Sequence, residues 1–356
     1  MKRIKTLFIW SLISLALQFA CWSFVEFKVS SVLSGAQYNR SSERIEEITA
    51  TLPDDLVVNP QLSFSNRYLA YLNRGDLKII DLKTSKIVFS QKGSSIGKIV
   101  VFNWLPDRNV MLFLSQQRNV DQGSLLNTVD LDESNRPKAK STVVVKGITP
   151  DIKVESMGFS TFSNMTYILT STENDQTIYT IDVMKHVREQ RFHQGKIIRY
   201  VTSEKKGTLY LQTLISGTMQ IISIKDDGPA IVLTGNQFIL LGVLSDRVLV
   251  GEIHNNVLSK IIVFLDTQNS ENSIDTDDFW TGNIPWEDYH VKVASNQSII
   301  FYNKSKVIIL SDSNSRVFPL DENNKYYLTE NGLGLFLIEP REDHTTQFTL
   351  KPITSF

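Results

Sequence analysis

The stretch from residue 275 to residue 290 carries the densest group of side chains that could bind a ligand. Carboxylates alternate there with aromatic rings, and a histidine closes the stretch. Aromatic rings beside carboxylates suit a sugar, a cationic peptide or a divalent cation. Calcium would need alternating oxygen ligands and a glycine at the sharp turn, and this stretch offers only part of that set. The candidate ligand-binding residues are Asp275, Asp277, Asp278, Trp280, Trp286, Glu287, Asp288 and His290.

Catalytic and metal-binding motifs give no further candidate. We expect no hydrolase nucleophile elbow, no His-Glu-x-x-His zinc motif and no phosphate-binding loop. The histidines are far apart in sequence, at His186, His193, His254, His290 and His344. The sequence therefore predicts no catalytic residue, no metal site and no cofactor.

Strands that end on an aspartate recur along the chain and define its repeat. The clear copies are Ile79-Ile80-Asp81, Thr128-Val129-Asp130, Thr180-Ile181-Asp182 and Val263-Phe264-Leu265-Asp266. An aspartate at such a position can turn the chain by bonding its own backbone two residues on. Repeated units of roughly 40–50 residues made of short strands are typical of β-propellers. We predict an all-β fold, a single propeller over residues 49–356 with seven four-stranded blades, or six as the alternative.

Two stretches carry a resemblance to a known blade repeat. Residues 64–71 (FSNRYLAY) are followed by residues 76–84 (DLKIIDLKT), and residues 104–115 (WLPDRNVMLFLS) keep a Pro-Asp turn. They are similar to the repeat of the WD40-like propellers typified by TolB. They also resemble the propeller of the prolyl-oligopeptidase and dipeptidyl-peptidase group. The resemblance covers residues 60–185 best, and it implies a fold rather than an activity.

Within this repeat, the candidate segment falls between the fifth and sixth units and breaks the rhythm of strands. Long loops in compact domains are often functional, which favours a ligand site. The alternative, which we favour, is that Trp280 and Trp286 fill the groove between adjacent blades while the carboxylates face water.

The N-terminal sequence predicts a membrane anchor. Residues 1–6 form a short basic end, and residues 7–25 are uncharged, with Trp10 and Trp22 near the two limits. A helix of this length is about 28 Å long, close to the roughly 30 Å of a bilayer core. The basic residues before it should stay in the cytoplasm, so the rest of the chain should cross.

We therefore expect an uncleaved, single-pass signal anchor followed by a polar stalk over residues 26–48. The propeller would lie outside the cell membrane. The alternative is a secreted protein cleaved near Ala36, and lipidation at Cys21 is a further option within that case.

Composition limits the classes of partner. Basic and acidic residues nearly balance, 37 against 38, which argues against a nucleic-acid partner. The single cysteine lies in the apolar segment, so the outer domain has no disulfide, as suits a bacterial envelope.

A strand from the start of the propeller could close the ring. Residues 48–52 or 56–58 could do so by pairing beside the strands expected over residues 326–354.

These observations predict a membrane-anchored binding or scaffold module for an envelope protein, peptide or glycan. One alternative is a propeller hydrolase or lyase with its site on the ring axis. Another is a sensory or regulatory partner of a membrane signalling complex.

Overall fold

The computed structural model describes residues 18, 45–117, 123–132, 137–193, 195–203, 207–225, 228–244, 247–265, 276–287, 289–294, 296–311 and 314–355. The chain divides into two compact units, Met1–Arg44 and Ile45–Phe356. Apart from residue 18, the expected anchor at residues 7–25 and the cleavage site near Ala36 lie outside the described residues. Within the described part of the chain, no helix is both long and apolar enough to span a bilayer.

The second unit is built from seven four-stranded antiparallel sheets, each of which is one blade of a propeller. Blade 1 contains β2 (Val58–Leu62), β3 (Tyr68–Asn73), β4 (Asp76–Asp81) and β5 (Lys86–Gln91). Blade 2 contains β6 (Lys98–Trp104), β7 (Val110–Gln116), β8 (Ser124–Asp130) and β9 (Lys140–Val145). Blade 3 contains β10 (Lys153–Ser160), β11 (Met165–Ser171), β12 (Asp175–Ile181) and β13 (Val187–His193).

The remaining four blades follow the same order. Blade 4 contains β14 (Gly195–Thr202), β15 (Leu209–Ile215), β16 (Thr218–Lys225) and β17 (Gly228–Thr234). Blade 5 contains β18 (Phe238–Leu244), β19 (Arg247–His254), β20 (Val257–Leu265) and β21 (Thr276–Pro285). Blade 6 contains β22 (His290–Val293), β23 (Ile299–Tyr302), β24 (Lys306–Ser311) and β25 (Asn314–Pro319). Blade 7 contains β26 (Tyr326–Leu328), β27 (Gly334–Pro340), β28 (Thr346–Pro352) and β1 (Ile48–Leu52). A short helix, α1 (Gly93–Ile96), and a 3-10 turn (Ile353–Ser355) complete the described elements.

The repeated aspartates lie where the third strand of a blade turns into the fourth. Asp81 Oδ1 accepts a hydrogen bond from the backbone N–H of Lys83 at 2.9 Å, and Asp130 Oδ1 accepts one from Asp132 at 2.9 Å. These bonds run to the residue two positions on, which confirms the turn geometry predicted from the sequence. The prediction of seven blades is also confirmed, and the alternative of six is wrong.

The ring is closed by the start of this unit. β1 pairs antiparallel with β28, with Ile48 opposite Leu350, and so forms the outermost strand of blade 7. A side-chain hydrogen bond also joins the two ends of the ring: Thr346 Oγ1 donates to the backbone oxygen of Asp54, shortly after β1, at 2.6 Å. Of the two segments predicted to close the ring, residues 48–52 do so, whereas Val58 begins β2 of blade 1.

The hydrophobic core is divided among seven clusters, one between each pair of adjacent blades. Each middle strand contributes to two of them, because successive side chains point to opposite faces of a sheet. In β3, Ala70 packs against blade 2, whereas Leu69 and Tyr71 pack against blade 7. Both faces of the strand are therefore buried, which explains its unbroken apolar sequence.

Two further features position the candidate sites. The first strands of successive blades, from β2 to β22, contact one another around the ring axis, and we call them the inner strands. The turns from first to second strand and from third to fourth strand emerge at the same end of each antiparallel sheet. We call this end the lower face.

Candidate functional site

The segment expected to be a long loop is mostly a strand. Residues 276–285 form β21, which pairs with β20 as the outer strand of blade 5. The expectation of a loop was wrong because the acidic, glycine-containing sequence masked the pairing. A register shift between Ile261 and Ile262 places an extra residue, Phe279, between paired positions. Such a bulge breaks the alternation of apolar and polar residues on which strand recognition depends.

The two tryptophans pack between blades 5 and 6. Trp280 is 7% exposed and belongs to the cluster that also contains Tyr289 and Phe301. Its ring lies over Gly282, where an added Cβ would stand 2.3 Å from Cζ2 of the indole. Trp286 is half-buried against the same cluster, edge-on to Tyr289 and Phe301 at centroid distances of 6.0 and 6.2 Å. Both rings therefore fill the groove between the blades.

The carboxylates of the segment pair with different lysines. Asp278 is exposed and bonds Lys260 Nζ at 2.7 Å on the outer strands of blade 5. Glu287 bonds Lys306 Nζ at 2.8 Å and accepts a hydrogen bond from Asn303 Nδ2 at 2.6 Å. The bond from Lys306 holds the pKa of Glu287 below its usual value. Asp275 and Asp288 lie outside the described residues, as does the side chain of Asp277.

His290 faces a different part of the fold. It is the first residue of β22, and its exposed ring lies against Tyr302 at a centroid distance of 5.1 Å. Tyr302 in turn lines a cavity of about 200 Å³ between the inner strands. The structure thus brings the two tryptophans together in the core and leaves His290 against Tyr302, while Asp278 stays with Lys260 on the outer strands.

The axial cavity has a polar lining drawn from four blades. Its walls are Pro60, Gln61, Leu62, Asn103, Tyr302, Tyr327, Leu328 and Glu330. Gln61 Nε2 donates to the backbone oxygen of Phe102 at 3.1 Å, and its own Oε1 is buried without a partner in the described structure. Glu330 accepts from Lys292 Nζ at 2.9 Å. The partly exposed carboxylate of Glu330 is therefore the acceptor that the cavity can offer to a small polar molecule.

Arg199 is a second axial feature, and the sequence analysis missed it. It lies on the inner strand β14 and is partly buried. Its guanidinium donates to the backbone oxygens of Leu240 at 3.3 Å and Tyr289 at 3.4 Å. The signal that could have found it is a charge inside the apolar run from Ile197 to Val201.

The described residues assemble no metal site. Among them, no three His, Cys, Asp or Glu side chains lie close enough together to hold a metal ion. The catalytic alternative expected carboxylates and histidines together at the axis, where the described structure places Glu330 beside Lys292 and His290 against Tyr302.

The nucleophile-elbow motif, which was expected to be absent, does occur in the sequence. Gly93-Ser94-Ser95-Ile96-Gly97 has the form Gly-x-Ser-x-Gly. A nucleophile elbow joins a strand to a helix at the edge of an α/β sheet. Here the residues form the short helix α1 between blades 1 and 2, and Ser95 Oγ donates to the backbone oxygen of Lys92 at 2.8 Å. This serine is engaged in a local turn, and the segment does not have the strand-to-helix geometry of a nucleophile elbow.

The lower face of blade 3 exposes an unusual group of apolar side chains. Phe162, in the turn from β10 to β11, is 66% exposed, and Val183 and Met184, in the turn from β12 to β13, are 64% and 71% exposed. Two strand spacings separate these turns, roughly 10 Å. We call these three residues the blade 3 corner.

The turn beneath this corner is fixed by hydrogen bonds. Asp182 Oδ1 accepts from the backbone N–H of His186 at 2.9 Å, and Lys185 N–H donates to the backbone oxygen of Asp182 at 2.9 Å. Polar residues dominate most turns. Valine and methionine at the tip of a hydrogen-bonded turn are therefore unusual, and exposed apolar groups of this kind often mark interaction sites.

Comparison with known proteins gives the fold. Neither a family model nor a curated protein sequence matches this chain. Among solved structures, the β-propeller domain of the Trilobed protease from Pyrococcus furiosus aligns with a TM-score of 0.53 at 12% identity, covering 84% of this chain and 98% of that one. The β-propeller domain of Myceliophteria thermophila Cps50 (Swd1) aligns with a TM-score of 0.50 at 12% identity, covering 85% and 99%. These likenesses and the sheet order show that the chain has a WD40-like, seven-bladed β-propeller fold.

Proposed function

We propose that this protein is a binding module whose propeller lies outside a bacterial membrane, is anchored there by residues 7–25, and docks an envelope protein or peptide. The uncharged segment and the basic residues before it support the anchor. The blade 3 corner supports docking by a protein. The kinship of the repeat with TolB-type propellers rests on the sequence resemblance and is part of the proposal.

The observation that carries this proposal is the exposure of Phe162, Val183 and Met184 at one corner of one blade. Burying a large apolar side chain at an interface contributes about 1.5–3 kcal/mol, so three such residues can anchor a partner. Lys185 is exposed beside them, with a positive φ of 67° at the tip of the turn. We therefore expect a partner with an apolar centre and an acidic rim.

Capture of crosslinked partners from membranes would test this proposal. The full chain would be compared with a variant carrying Phe162→Ser and Met184→Ser. Both side chains are exposed, so the variant should fold normally and lose its partner by more than tenfold.

A matched control is available on the outer strands of other blades. Ile231 on β17 and Val317 on β25 are 63% and 60% exposed, and Ile231→Ser with Val317→Ser should leave capture unchanged. Retention of the same partner by the corner variant, or equal loss in both variants, would contradict docking at blade 3.

A further inference from the structure

Arg199 carries a positive charge that its described surroundings do not balance. The guanidinium has five N–H donors, and the structure gives it two long hydrogen bonds, both to backbone oxygens. Among the described residues, no carboxylate forms an ion pair with it. Burial lowers the pKa of Arg199, and an arginine stays protonated even so. Buried charges are normally paired, because an unpaired one loses its hydration without compensation.

The local structure holds this charge in place. A register shift between Ile197 and Arg199 introduces a bulge at Ile198, and bulges re-aim the side chain that follows. Arg199 pairs across the strands with Gln212, whose Oε1 accepts the backbone N–H of Leu240 at 3.0 Å. The two side chains of this pair therefore hold both backbone groups of Leu240 in the next blade.

The hydrogen bonds of Arg199 connect three blades next to the inner strands. Leu240 belongs to β18 of blade 5, whereas Tyr289 immediately precedes β22 of blade 6. A side chain from blade 4 that bonds both must extend across the inner strands. Among the residues that the structure describes, backbone oxygens alone accept hydrogen bonds from Arg199, so its guanidinium has donors left for an anion.

We propose that Arg199 is the anchor of an axial site for a small oxyanion, a carboxylate or a phosphate group. Guanidinium binds such groups through parallel N–H donors, which the two weak carbonyl bonds do not saturate. The site is independent of the blade 3 corner, because it lies on an inner strand and requires no protein partner. The alternative is a purely structural arginine that ties blades 4, 5 and 6 together.

Thermal unfolding of the full chain in detergent separates the two roles. Inorganic phosphate and sodium acetate would each be titrated against chloride at constant ionic strength. A site occupied at tenfold excess over its dissociation constant should raise the Tm by about 2–4 °C. Arg199→Met should abolish the rise, whereas Arg316→Met, on the exposed outer strand β25, should keep it.

A structural arginine predicts a different pattern. Arg199→Met would then shift the Tm equally at every anion concentration, and the original chain would show no rise with either anion. Either result would overturn the site.

Chemical protection tests the site without a variant, in case Arg199→Met does not fold. Phenylglyoxal modifies arginines, and mass spectrometry can follow its reaction at Arg199 and Arg316 separately. Phosphate or acetate should slow labelling at Arg199 at least fivefold and leave Arg316 unchanged. Equal labelling of Arg199 with and without anion would overturn the proposal, as would an Arg199 that the reagent never reaches.

Discussion

Asp81 shows how one carboxylate holds two turns of a blade. Its Oδ2 accepts from Arg67 at 2.7 Å, while Oδ1 accepts from the backbone of Lys83. Burial alone would raise the pKa of Asp81, but the hydrogen bonds from Arg67 and Lys83 outweigh burial and leave the pKa below its usual value. The carboxylate therefore stabilises the fold in its ionised form.

Asp81→Asn should lower the free energy of unfolding by about 1–3 kcal/mol at pH 7, because the side chain is only 5% exposed and loses its charge-assisted bonds. Because the pKa of Asp81 is lower in the folded than in the unfolded state, its carboxylate stabilises the fold fully above the unfolded-state pKa of roughly 3.9. This stabilisation is lost as the pH falls through the folded-state pKa. The difference between the two proteins should therefore shrink below about pH 4. Urea unfolding at pH 7 and pH 3 measures it.

Asp55→Asn provides the control for this prediction. Asp55 pairs with Arg74 at 3.4 Å, and both side chains are well exposed, so the change should cost less than about 0.5 kcal/mol. A constant cost of Asp81→Asn from pH 7 to pH 3 would show that its charge is not responsible.

Among the strands, adjacent blades are joined by polar side chains as well as by the apolar clusters. Gln212 on β15 donates to the backbone oxygen of Phe238 at 3.1 Å and accepts from Leu240 N–H at 3.0 Å. Gln116 on β7 reaches the backbone oxygens of Thr149 and Ile152 before blade 3 in a similar way. These amides satisfy backbone groups of the next inner strand or of the segment that leads into it.

Gln212→Leu should therefore cost about 2–4 kcal/mol, because it preserves volume but leaves a buried N–H and a buried C=O without partners. Equilibrium urea unfolding followed by tryptophan fluorescence measures the change. Gln190→Leu, on the outer strand β13, should change the unfolding free energy by less than about 0.5 kcal/mol. Equal costs for the two substitutions would mean that the amide does not join the blades.

The sequence predicted the middle strands well and the outer strand of blade 5 poorly. The aspartates at the ends of third strands hydrogen-bond the backbone two residues on, so this turn depends on neighbouring residues and can be predicted from the sequence. The strand β21 was missed because its bulge at Phe279 and its polar residues hide the pairing with β20. Arg199 was missed for another reason, since its importance depends on Leu240 and Tyr289, which are distant in sequence and meet only in the folded ring.

For the whole molecule, the proposed anchor at residues 7–25 predicts on which side of the membrane the propeller lies. The sole cysteine is Cys21, so a cysteine introduced at the exposed Ser315 would be the only one in the propeller. A membrane-impermeant maleimide should label Ser315→Cys on intact cells, because the propeller is expected outside. The original chain should show no labelling.

Two outcomes of this experiment would contradict the proposed topology. Labelling that requires permeabilised cells would place the propeller inside. Labelled protein found only in the medium would indicate secretion after cleavage near Ala36 rather than an anchor.

Because β1 pairs with β28, the ring can close only after nearly the whole chain has been synthesised. The oxygen of Asp54 and the hydroxyl of Thr346 that bond across the closure are 292 positions apart. At about 5–20 residues per second, the opening strand waits roughly 15–60 s for its partner. During that interval Ala50 and Leu52, buried in the finished ring, are open to chaperones. A chain interrupted before β28 would keep this strand unpaired, and its apolar residues would stay accessible.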